Sequence, residues 1–347
     1  MRVLSAPVRV VWEVTRKCNL RCRYCYISAS TAEADELTTR EALDLCGQLI
    51  EMEVFHVTLS GGEPLTRLDV YDIISKLRQA GINVFLNSNG TLIDADIARR
   101  LKDAGVHGVA ISLDGVTRET HEKVRLPRGS FERALRGIDV LRASEIPVGI
   151  QTTITTDNYH EMPELAAFCL ERGLPGVKFS RVSPVGRGRD NYRELGLGYD
   201  EAMALVRELL QLRNEYRGRL RIDFGENLLS AFLPEDEITQ NAAGLDEYVM
   251  ECEAGRSKCS ISPSGDVRPC EFFTTPEYFA GNIRENPFAA IWRNSEVFQY
   301  FRSDELYSGC TVCEKQCSGR CPAAAVAAGG HSADDPTCPY VMRAARV

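Results

Sequence analysis

Short apolar runs alternate with longer amphipathic runs from residue 8 to about residue 182. The short runs are typical of buried strands, and the longer runs space their apolar residues as helices do. The six strand candidates start near Val8, Val54, Ile82, Val106, Pro147 and Gly176. The helix candidates span 38–52, 68–80, 94–104, 131–144, 163–172 and, after the last strand, 199–216.

Residues that favour helix ends mark several of these boundaries. Thr38 and Glu41 have the spacing of a capping box at the start of the first helix. Ser130 stands before the fourth helix as a cap, and Gly105 and Gly173 follow two others, where glycine commonly ends a helix.

Strands that alternate with helices predict a parallel sheet with right-handed crossovers. Six such units are too few to close an eight-stranded barrel. We therefore predict an α/β fold, an open, partial (β/α)6 TIM-like barrel that ends with the helix at 199–216.

The sequence changes character after this helix. Residues 232–248 are acidic and broken by Pro234 and Gly244, which indicates a linker. From about residue 250 the chain is rich in Cys, Gly and Pro, so we expect little apolar core and a need for metal. We predict a barrel domain at 1–225, a linker at 226–248 and a cysteine-rich domain at 249–347 that folds over the open side of the barrel.

Composition narrows the class of protein. Of the 347 residues, 44% are hydrophobic and 26% charged, which excludes disorder. The net charge of −8 is unlike that of a general nucleic-acid binder. No apolar run is long enough to span a membrane, and Arg9 and Glu13 interrupt the one candidate for a signal peptide. We therefore expect a cytoplasmic protein.

The chain has 13 cysteines, an odd and high number that indicates metal binding rather than disulfides in a reducing compartment. Cys46 and Cys169 fall on the apolar faces of predicted helices, where a free cysteine fills the core. The metal-ligand candidates are Cys18, Cys22, Cys25, Cys252, Cys259, Cys270, Cys310, Cys313, Cys317, Cys321 and Cys338.

Candidate functional residues follow the predicted strands. In parallel α/β barrels the functional groups lie at the C-terminal ends of the strands, so segments that follow neighbouring strands should meet at one mouth. The segments after the first four strands are 18–25, 61–64, 87–90 and 112–115.

These segments suit an iron–sulfur cluster and a small polar ligand. Three thiolates on one loop can hold three irons of a cubane and leave the fourth open, although the spacing alone also suits zinc. Gly61 and Gly62 would let a ligand approach the backbone closely. Asn89, Ser112 and Asp114 offer polar groups to a ribose or an amino-acid headgroup.

The spacing Cys18-x3-Cys22-x2-Cys25, the aromatic Tyr24 and the Gly-Gly-Glu-Pro sequence at 61–64 resemble the radical S-adenosylmethionine (SAM) enzymes. The resemblance covers residues 8 to about 187. It implies that SAM chelates the open iron through its methionyl amine and carboxylate. An electron from the cluster would then cleave SAM to a 5′-deoxyadenosyl radical, which takes a hydrogen atom from the substrate.

The resemblance also implies roles for individual residues. The Gly-Gly-Glu segment at 61–63 would hold the methionyl amine, and Ser112 and Asp114 the ribose or carboxylate. Residues 179–182 would contact adenine, and Arg125 matches a SAM-contacting arginine, with a surface ion pair as the alternative. The candidate cofactor-binding residues are Tyr24, Gly61, Gly62, Glu63, Asn89, Ser112, Asp114 and Arg125.

The C-terminal cysteines resemble the SPASM extension of radical SAM enzymes, which carries two auxiliary 4Fe–4S clusters. The resemblance implies three clusters in all. Its pairing would give Cys252, Cys259, Cys270 and Cys321 to one cluster, and Cys310, Cys313, Cys317 and Cys338 to the other. A gap of three rather than five residues between Cys313 and Cys317 leaves this pairing open. Two four-thiolate zinc sites are the alternative.

SPASM enzymes mostly modify peptides, and a smaller group processes haem precursors. The segment at 10–18 resembles both groups. We predict radical modification of a peptide, such as crosslinking or oxidation, with haem-precursor decarboxylation or side-chain removal as the alternative. A non-catalytic iron–sulfur or zinc protein is the alternative of another class.

Glu271 follows Cys270 where sulfatase-maturing relatives carry a catalytic Asp, which suggests a general base. A solvated or N–H-bonded carboxylate is the alternative. Because residues 1–7 alone precede the first strand, we expect any leader-binding module to be a separate protein or to be absent. A ferredoxin- or flavodoxin-type protein is the expected electron donor.

Overall fold

The computed structural model describes residues 4–225, 252–303, 321–330, 333–338 and 341–342. Within these ranges the strands are β1 (Arg9–Thr15), β2 (His56–Gly61), β3 (Asn83–Ser88), β4 (Gly108–Ser112), β5 (Val148–Ile154), β6 (Gly176–Arg181), β7 (Arg221–Phe224), β8 (Lys258–Ile261), β9 (Asp266–Arg268) and β10 (Gly281–Asn282). They form one sheet in the order β10-β9-β8-β1-β2-β3-β4-β5-β6-β7.

The α-helices of the described residues lie mostly between the strands. They are α1 (Thr39–Glu51), α2 (Val70–Gln79), α3 (Ala95–Ala104), α4 (Arg118–Arg125), α5 (Ser130–Ala143), α6 (Met162–Glu171), α7 (Arg187–Asp190), α8 (Tyr192–Leu195), α9 (Tyr199–Glu215), α10 (Phe288–Asn294), α11 (Glu296–Arg302) and α12 (Pro322–Gly329). Short 3-10 turns occupy Pro64–Thr66, Tyr159–Glu161 and Pro276–Tyr278.

The predicted strand starts and helix ends agree with the structure to within two residues. Thr38 caps α1 as predicted, since its hydroxyl accepts from the Glu41 N–H and the Glu41 carboxylate accepts from the Thr38 N–H. The prediction for Ser130 was wrong. Helix α5 begins at Ser130 itself, and Gly129 takes the N-cap position with a φ of +81°, which glycine adopts without strain.

The central strands β1 to β6 pair in sequence order, and every pair is parallel. This is the partial barrel that the sequence predicted. Two further parallel strands extend it, β7 beside β6 and β8 beside β1. Both have four residues, too few to show a pattern in the sequence.

The cysteine-rich segment joins the barrel sheet at its β1 edge. After β8 the chain turns back through β9 and β10, which pair antiparallel. At the opposite edge, Arg181 at the end of β6 donates to the Thr337 carbonyl over 2.6 Å. The described parts of this segment therefore contact β1 and β6, the outer two of the six central strands.

The main core lies on the helix-covered face of the sheet. Cys46 and Cys169 are fully buried there, as predicted. The expectation of little apolar core after residue 250 was wrong, because Phe288, Trp292 and Phe298 also belong to this core. They lie on α10 and α11, whose seven residues each are too few to reveal a helical period.

Two sequence-based points complete this description. The predicted linker at 226–248 lies outside the described residues. Across the ranges that the structure describes, we find no helix with both the length and the apolar character needed to cross a bilayer.

Candidate active site

A cavity of about 300 Å³ lies at the C-terminal ends of the parallel strands. All four predicted strand-end segments contribute to its wall, which confirms that they meet at one mouth. The candidate residues in the wall are Cys18, Cys22, Tyr24, Cys25, Gly61, Gly62, Asn89, Ser112, Arg125 and Glu271. Glu63 and Asp114 are fully buried and are not part of the wall.

The loop after β1 carries the three N-terminal cysteines into the wall. Backbone N–H groups point at two of the sulfur atoms, with Leu20 N 3.4 Å from Cys18 Sγ and Ala29 N 3.3 Å from Cys25 Sγ. Arg125 Nη1 lies 4.0 Å from the Sγ of Cys22. These donors favour thiolates, the form in which cysteine binds metal.

This group of cysteines fits an iron–sulfur cluster. Burial raises the pKa of Cys22 to about 12, so the free thiol is protonated and a metal would have to displace its proton. Within the described residues, no three Cys, His, Asp or Glu side chains converge on a single metal ion. A cubane cluster does not require its cysteines to converge on one ion, because each cysteine binds a different iron atom.

Gly61 and Gly62 bring the end of β2 against the cysteine loop. A Cβ atom on Gly62 would lie 2.2 Å from the Lys17 carbonyl oxygen, and one on Gly61 would lie 2.5 Å from the Thr15 oxygen. Gly61 also has a φ of +115°, which side chains rarely allow. Glycine is therefore required here for packing as well as for access to a ligand.

Glu63 organises the loop after β3 from beneath the cavity. Its carboxylate accepts from the Ser88 hydroxyl at 2.9 Å, the Asn89 N–H at 2.8 Å and the Leu65 N–H at 3.3 Å. Burial raises the pKa of Glu63 to about 7, although these hydrogen bonds oppose the shift. Asn89, held in this way, donates in turn to Asn19 Oδ1 at 2.8 Å.

Asp114 organises a second part of the wall. Its carboxylate accepts from Arg125 Nε at 2.6 Å, from the Thr153 N–H at 3.0 Å and from the Tyr24 hydroxyl. Arg125 is 7% exposed, so its ion pair is buried and the surface ion pair considered above is wrong. Asp114 thus fixes two residues that face the cavity, Arg125 and Tyr24.

Glu271 reaches the cavity from the cysteine-rich segment together with Lys258. The Lys258 ammonium lies 2.8 Å from one oxygen of Glu271 and 2.7 Å from the other. Burial alone would raise the pKa of Glu271, but the charge and hydrogen bond of Lys258 lower it to about 2. A carboxylate held in this way is a weak base.

The predicted adenine-contacting segment only partly reaches the cavity. Ser180 and Arg181 line it, whereas Phe179 belongs to the main core and Val182 to a small apolar cluster with Val124. The strand period of two sends Phe179 and Ser180 to opposite faces, and Arg181, the last residue of β6, also reaches the cavity.

Of the C-terminal cysteines that the structure describes, three lie around one apolar cluster and Cys259 lies apart from them. Cys252, Cys270 and Cys321 contact a small apolar cluster that includes Phe273 and Phe301. Cys259 instead lies in the main core, fully buried. Cys338 is also buried, at 7% exposure. Three further candidates, Cys310, Cys313 and Cys317, lie outside the described residues.

Comparison with known proteins identifies the family. Residues 12–169 match the Radical SAM superfamily, and residues 252–318 match SPASM, an iron–sulfur cluster-binding domain. The AdoMet-dependent heme synthase of Methanosarcina barkeri (strain Fusaro / DSM 804) is 34% identical over 97% of this chain and 97% of that protein. The chain belongs to the radical SAM superfamily.

Other radical SAM proteins are similar over most of the chain. Mycofactocin maturase MftC of Mycobacterium tuberculosis (strain CDC 1551 / Oshkosh) is 32% identical over 93% of this chain and 80% of that protein. The structure of Streptococcus suis SuiB bound to S-adenosylmethionine covers 97% of this chain and 78% of that one, with a TM-score of 0.77 at 18% identity, which shows a shared fold. The chain is therefore a radical SAM/SPASM enzyme that uses SAM and iron–sulfur clusters.

Sequence reasoning missed the cations of this radical SAM site. Lys178, Arg181, Arg187, Arg9 and Lys258 all line the cavity. One signal was available in β6, where Lys178 stands among apolar residues of a buried strand. Arg181 lies within the segment at 179–182 named above, Arg9 begins β1, and Lys258 and Arg187 required knowledge of β8 and of the helix after β6.

Proposed function

We propose that the substrate of this radical SAM enzyme carries several carboxylates and that it is a haem precursor with propionate side chains. One observation supports this most directly. Among the residues that the structure describes, six cationic residues and one acidic residue line the cavity, although the chain as a whole is acidic. The cations are Arg9, Arg125, Lys178, Arg181, Arg187 and Lys258, and the acid is Glu271.

Lys258 pairs with Glu271 inside the cavity, but two other cations pair with acids outside it. Arg125 pairs with Asp114 and Arg9 with Glu253, neither of which lines it. Lys178 has no hydrogen-bond or ion-pair partner among the described residues. Arg181 Nη2 is buried without a hydrogen bond in the same part of the chain, and the nearest acid, Asp335, lies 4.0 Å from it. Lys178 and Arg181 are therefore both suited to bind a carboxylate of the substrate.

The relatives support the same choice. The heme synthase of Methanosarcina barkeri covers nearly the whole chain at 34% identity. Peptide modification, which the sequence analysis favoured, remains the second candidate because MftC, a maturase, is 32% identical. For a peptide substrate, we propose a leader-binding protein as a further partner. Either substrate requires an electron donor of the ferredoxin or flavodoxin type.

The chain's own residues would bind and shield the reacting groups. When bound, the cluster and SAM supply the radical that abstracts a hydrogen atom. Cys18, Cys22 and Cys25 would hold that cluster, and Gly61 and Gly62 would admit the methionyl amine to the backbone.

We propose that Ser112 and Arg125 contact SAM directly, together with Tyr24 and Asn89. Glu63 and Asp114 would act through the residues that they hold, because they lie behind the wall. Glu271, ion-paired with Lys258, would orient charge in the cavity rather than accept a proton.

Three proposals from the sequence extend this picture. We propose three 4Fe–4S clusters per chain, one that binds SAM and two auxiliary clusters. The proposed domains are 1–225 and 249–347, with a linker between them. The many cysteines outside the core support a cytoplasmic location, where thiols stay reduced.

An anaerobic assay with deuterated substrates tests the proposal. We expect deuterium to pass into 5′-deoxyadenosine from a haem precursor labelled in its propionates. Lys178→Gln should raise KM several-fold with a smaller effect on kcat, while Lys102→Gln, at an exposed ion pair, should change neither. Deuterium transfer from a labelled peptide, with none from the haem precursor, would assign the enzyme to the second candidate.

A further inference from the structure

Strand β8 sends two neighbouring residues to opposite faces of the sheet. Lys258 lines the cavity, and its Nζ atom lies 4.0 Å from the Sγ of Cys270. Cys259 pairs with Val10 of β1 and packs in the main core on the other face. Successive side chains of a strand point in opposite directions, so Cys259 cannot share the environment of Lys258.

The register of the hairpin leads to the same placement. Ser260 pairs with Arg268, and Ile261 pairs with Val267. Continued by two residues, this antiparallel register sets Lys258 directly opposite Cys270. Moving Cys259 to that place would require a one-residue slip, which would turn every buried side chain of β8 to the wrong face.

Among the described residues, three of the C-terminal cysteines lie together and Cys259 is not one of them. Cys252, Cys270 and Cys321 contact one apolar cluster, and Cys259 belongs to another. We propose that these three cysteines hold the auxiliary cluster nearest the cavity and that Cys259 is a core residue, not a ligand. Lys258 occupies the position from which a fourth cysteine would reach this cluster.

With Cys310, Cys313, Cys317 and Cys338 assigned to the other auxiliary cluster, as the family resemblance implies, this arrangement leaves one iron of the cluster nearest the cavity without a cysteine ligand. The site borders the cavity through Lys258 and Glu271, which both line it. An iron without a protein thiolate takes an exchangeable external ligand, as the SAM-binding cluster does with its three cysteines. The proposal concerns the metal site alone and does not depend on which substrate the enzyme modifies.

Iron content tests the role of Cys259 in the full chain after anaerobic reconstitution. Cys259→Val should keep the iron content of the unaltered protein, as should Cys46→Val, a matched change at another fully buried core cysteine. Cys270→Ser should lose up to about four irons, the content of one cubane. Loss of about four irons in Cys259→Val but not in Cys46→Val would overturn the proposal.

A second measurement detects the open iron itself and leaves Cys259 unchanged. In the Cys18→Ala, Cys22→Ala, Cys25→Ala triple variant, the SAM-binding cluster is absent. We expect cyanide to change the electron paramagnetic resonance spectrum of the reduced auxiliary clusters. Adding Lys258→Cys should abolish that change by supplying a fourth thiolate, whereas Lys258→Ala should not. A spectrum that cyanide leaves unchanged would contradict the proposal.

Discussion

The pKa values of two buried carboxylates at the cavity are shifted in opposite directions because their neighbours differ. Glu63 accepts hydrogen bonds from neutral groups, and burial raises its pKa to about 7. Glu271 faces the ammonium of Lys258, which lowers its pKa to about 2. Glu271 therefore stays ionised throughout the physiological range, whereas Glu63 exchanges its proton within it.

The raised pKa of Glu63 makes stability depend on pH. The folded protein holds this proton more tightly than the unfolded chain, whose pKa is near 4.5. The associated stability is complete below about pH 4.5 and is lost as the pH rises through about 7. Glu63→Gln imitates the protonated form, so its unfolding midpoint should rise relative to the unaltered protein between about pH 5 and pH 8.

Between these pH values, the difference in free energy of unfolding between the two proteins should change by no more than about 3 kcal/mol, given the shift in pKa. Thermal unfolding of both proteins at the two pH values measures it. Glu33→Gln, a partly exposed carboxylate, is the control and should show no such divergence. Parallel pH profiles for Glu63→Gln and the unaltered protein would show that the Glu63 proton is not linked to folding.

Asp114 is the residue on which the position of Arg125 most depends. Asp114→Asn would leave the buried guanidinium without its counter-charge, which we expect to cost about 3–5 kcal/mol of folding stability. SAM binding should weaken as well, because Arg125 and Tyr24 would lose their common acceptor.

An exposed aspartate provides the matched control for this change. Asp96 pairs with Arg99 on the surface, and both side chains are more than 60% exposed. Asp96→Asn should cost less than about 1 kcal/mol. Denaturant unfolding compares the two variants, and equal effects would mean that burial of the Asp114 pair contributes nothing.

Between elements, a buried ion pair joins the barrel to the cysteine-rich segment. Glu13 of β1 accepts from Arg268 of β9, and the side chains are 1% and 4% exposed. Tyr26, which follows Cys25, packs edge-on against Phe272 at 5.2 Å. The loop that would hold the SAM-binding cluster is thus in contact with the auxiliary module.

Removing one member of this ion pair should destabilise the protein more than removing both members. Arg268→Leu leaves Glu13 buried and unpaired, with an expected loss of about 3–5 kcal/mol. The double variant with Glu13→Leu should recover part of that loss, because no uncompensated charge remains. Unfolding of the two single variants and the double variant forms a double-mutant cycle. A double variant less stable than Arg268→Leu would contradict the argument.

The sequence predicted long elements well and short ones poorly. Helices α1 and α2 have 13 and 10 residues, so their apolar faces were visible in the sequence. Helix α4 has eight residues, and α10 and α11 have seven each, which is too few for a clear period. Arg125 was found through its resemblance to a family residue, although the helix that carries it was not.

Sequence motifs located some residues of the candidate site but could not show how others are buried. Motifs located Cys18 and Gly61 because those positions follow strands whose order the sequence reveals. The burial of Asp114 behind the wall depends on packing between β4, β5 and α4, which no local pattern encodes. Cys259 and Lys258 are neighbours in sequence, and only pairing of β8 with β1 decides which of them faces the cavity.

The charge of the cavity wall is opposite in sign to the net charge of the whole molecule. The chain is acidic, with a net charge of −8, yet cations dominate the cavity wall. A positive site within an acidic protein attracts anions locally while the surface repels them. This contrast favours a substrate that carries its negative charges into the cavity and is one reason for preferring a haem precursor to a neutral peptide.

The distribution of cysteines leads to a prediction for the whole molecule. Three cubanes would give about twelve irons per chain. Replacing Cys18, Cys22 and Cys25 with alanine should leave about eight irons and abolish SAM cleavage. The fold of the cysteine-rich segment should persist, because its described part has apolar residues of its own in the main core, such as Trp292 and Phe298.

A variant with Cys46→Ala and Cys169→Ala is the matched control for that triple change. Both residues are fully buried among apolar side chains, so their loss should lower stability without lowering iron content or turnover. Iron analysis, an assay for 5′-deoxyadenosine and thermal unfolding separate these effects. SAM cleavage that survives the triple change would show that another group of residues holds the SAM-binding cluster. Zinc in place of iron after anaerobic reconstitution would show that the cysteines form zinc sites.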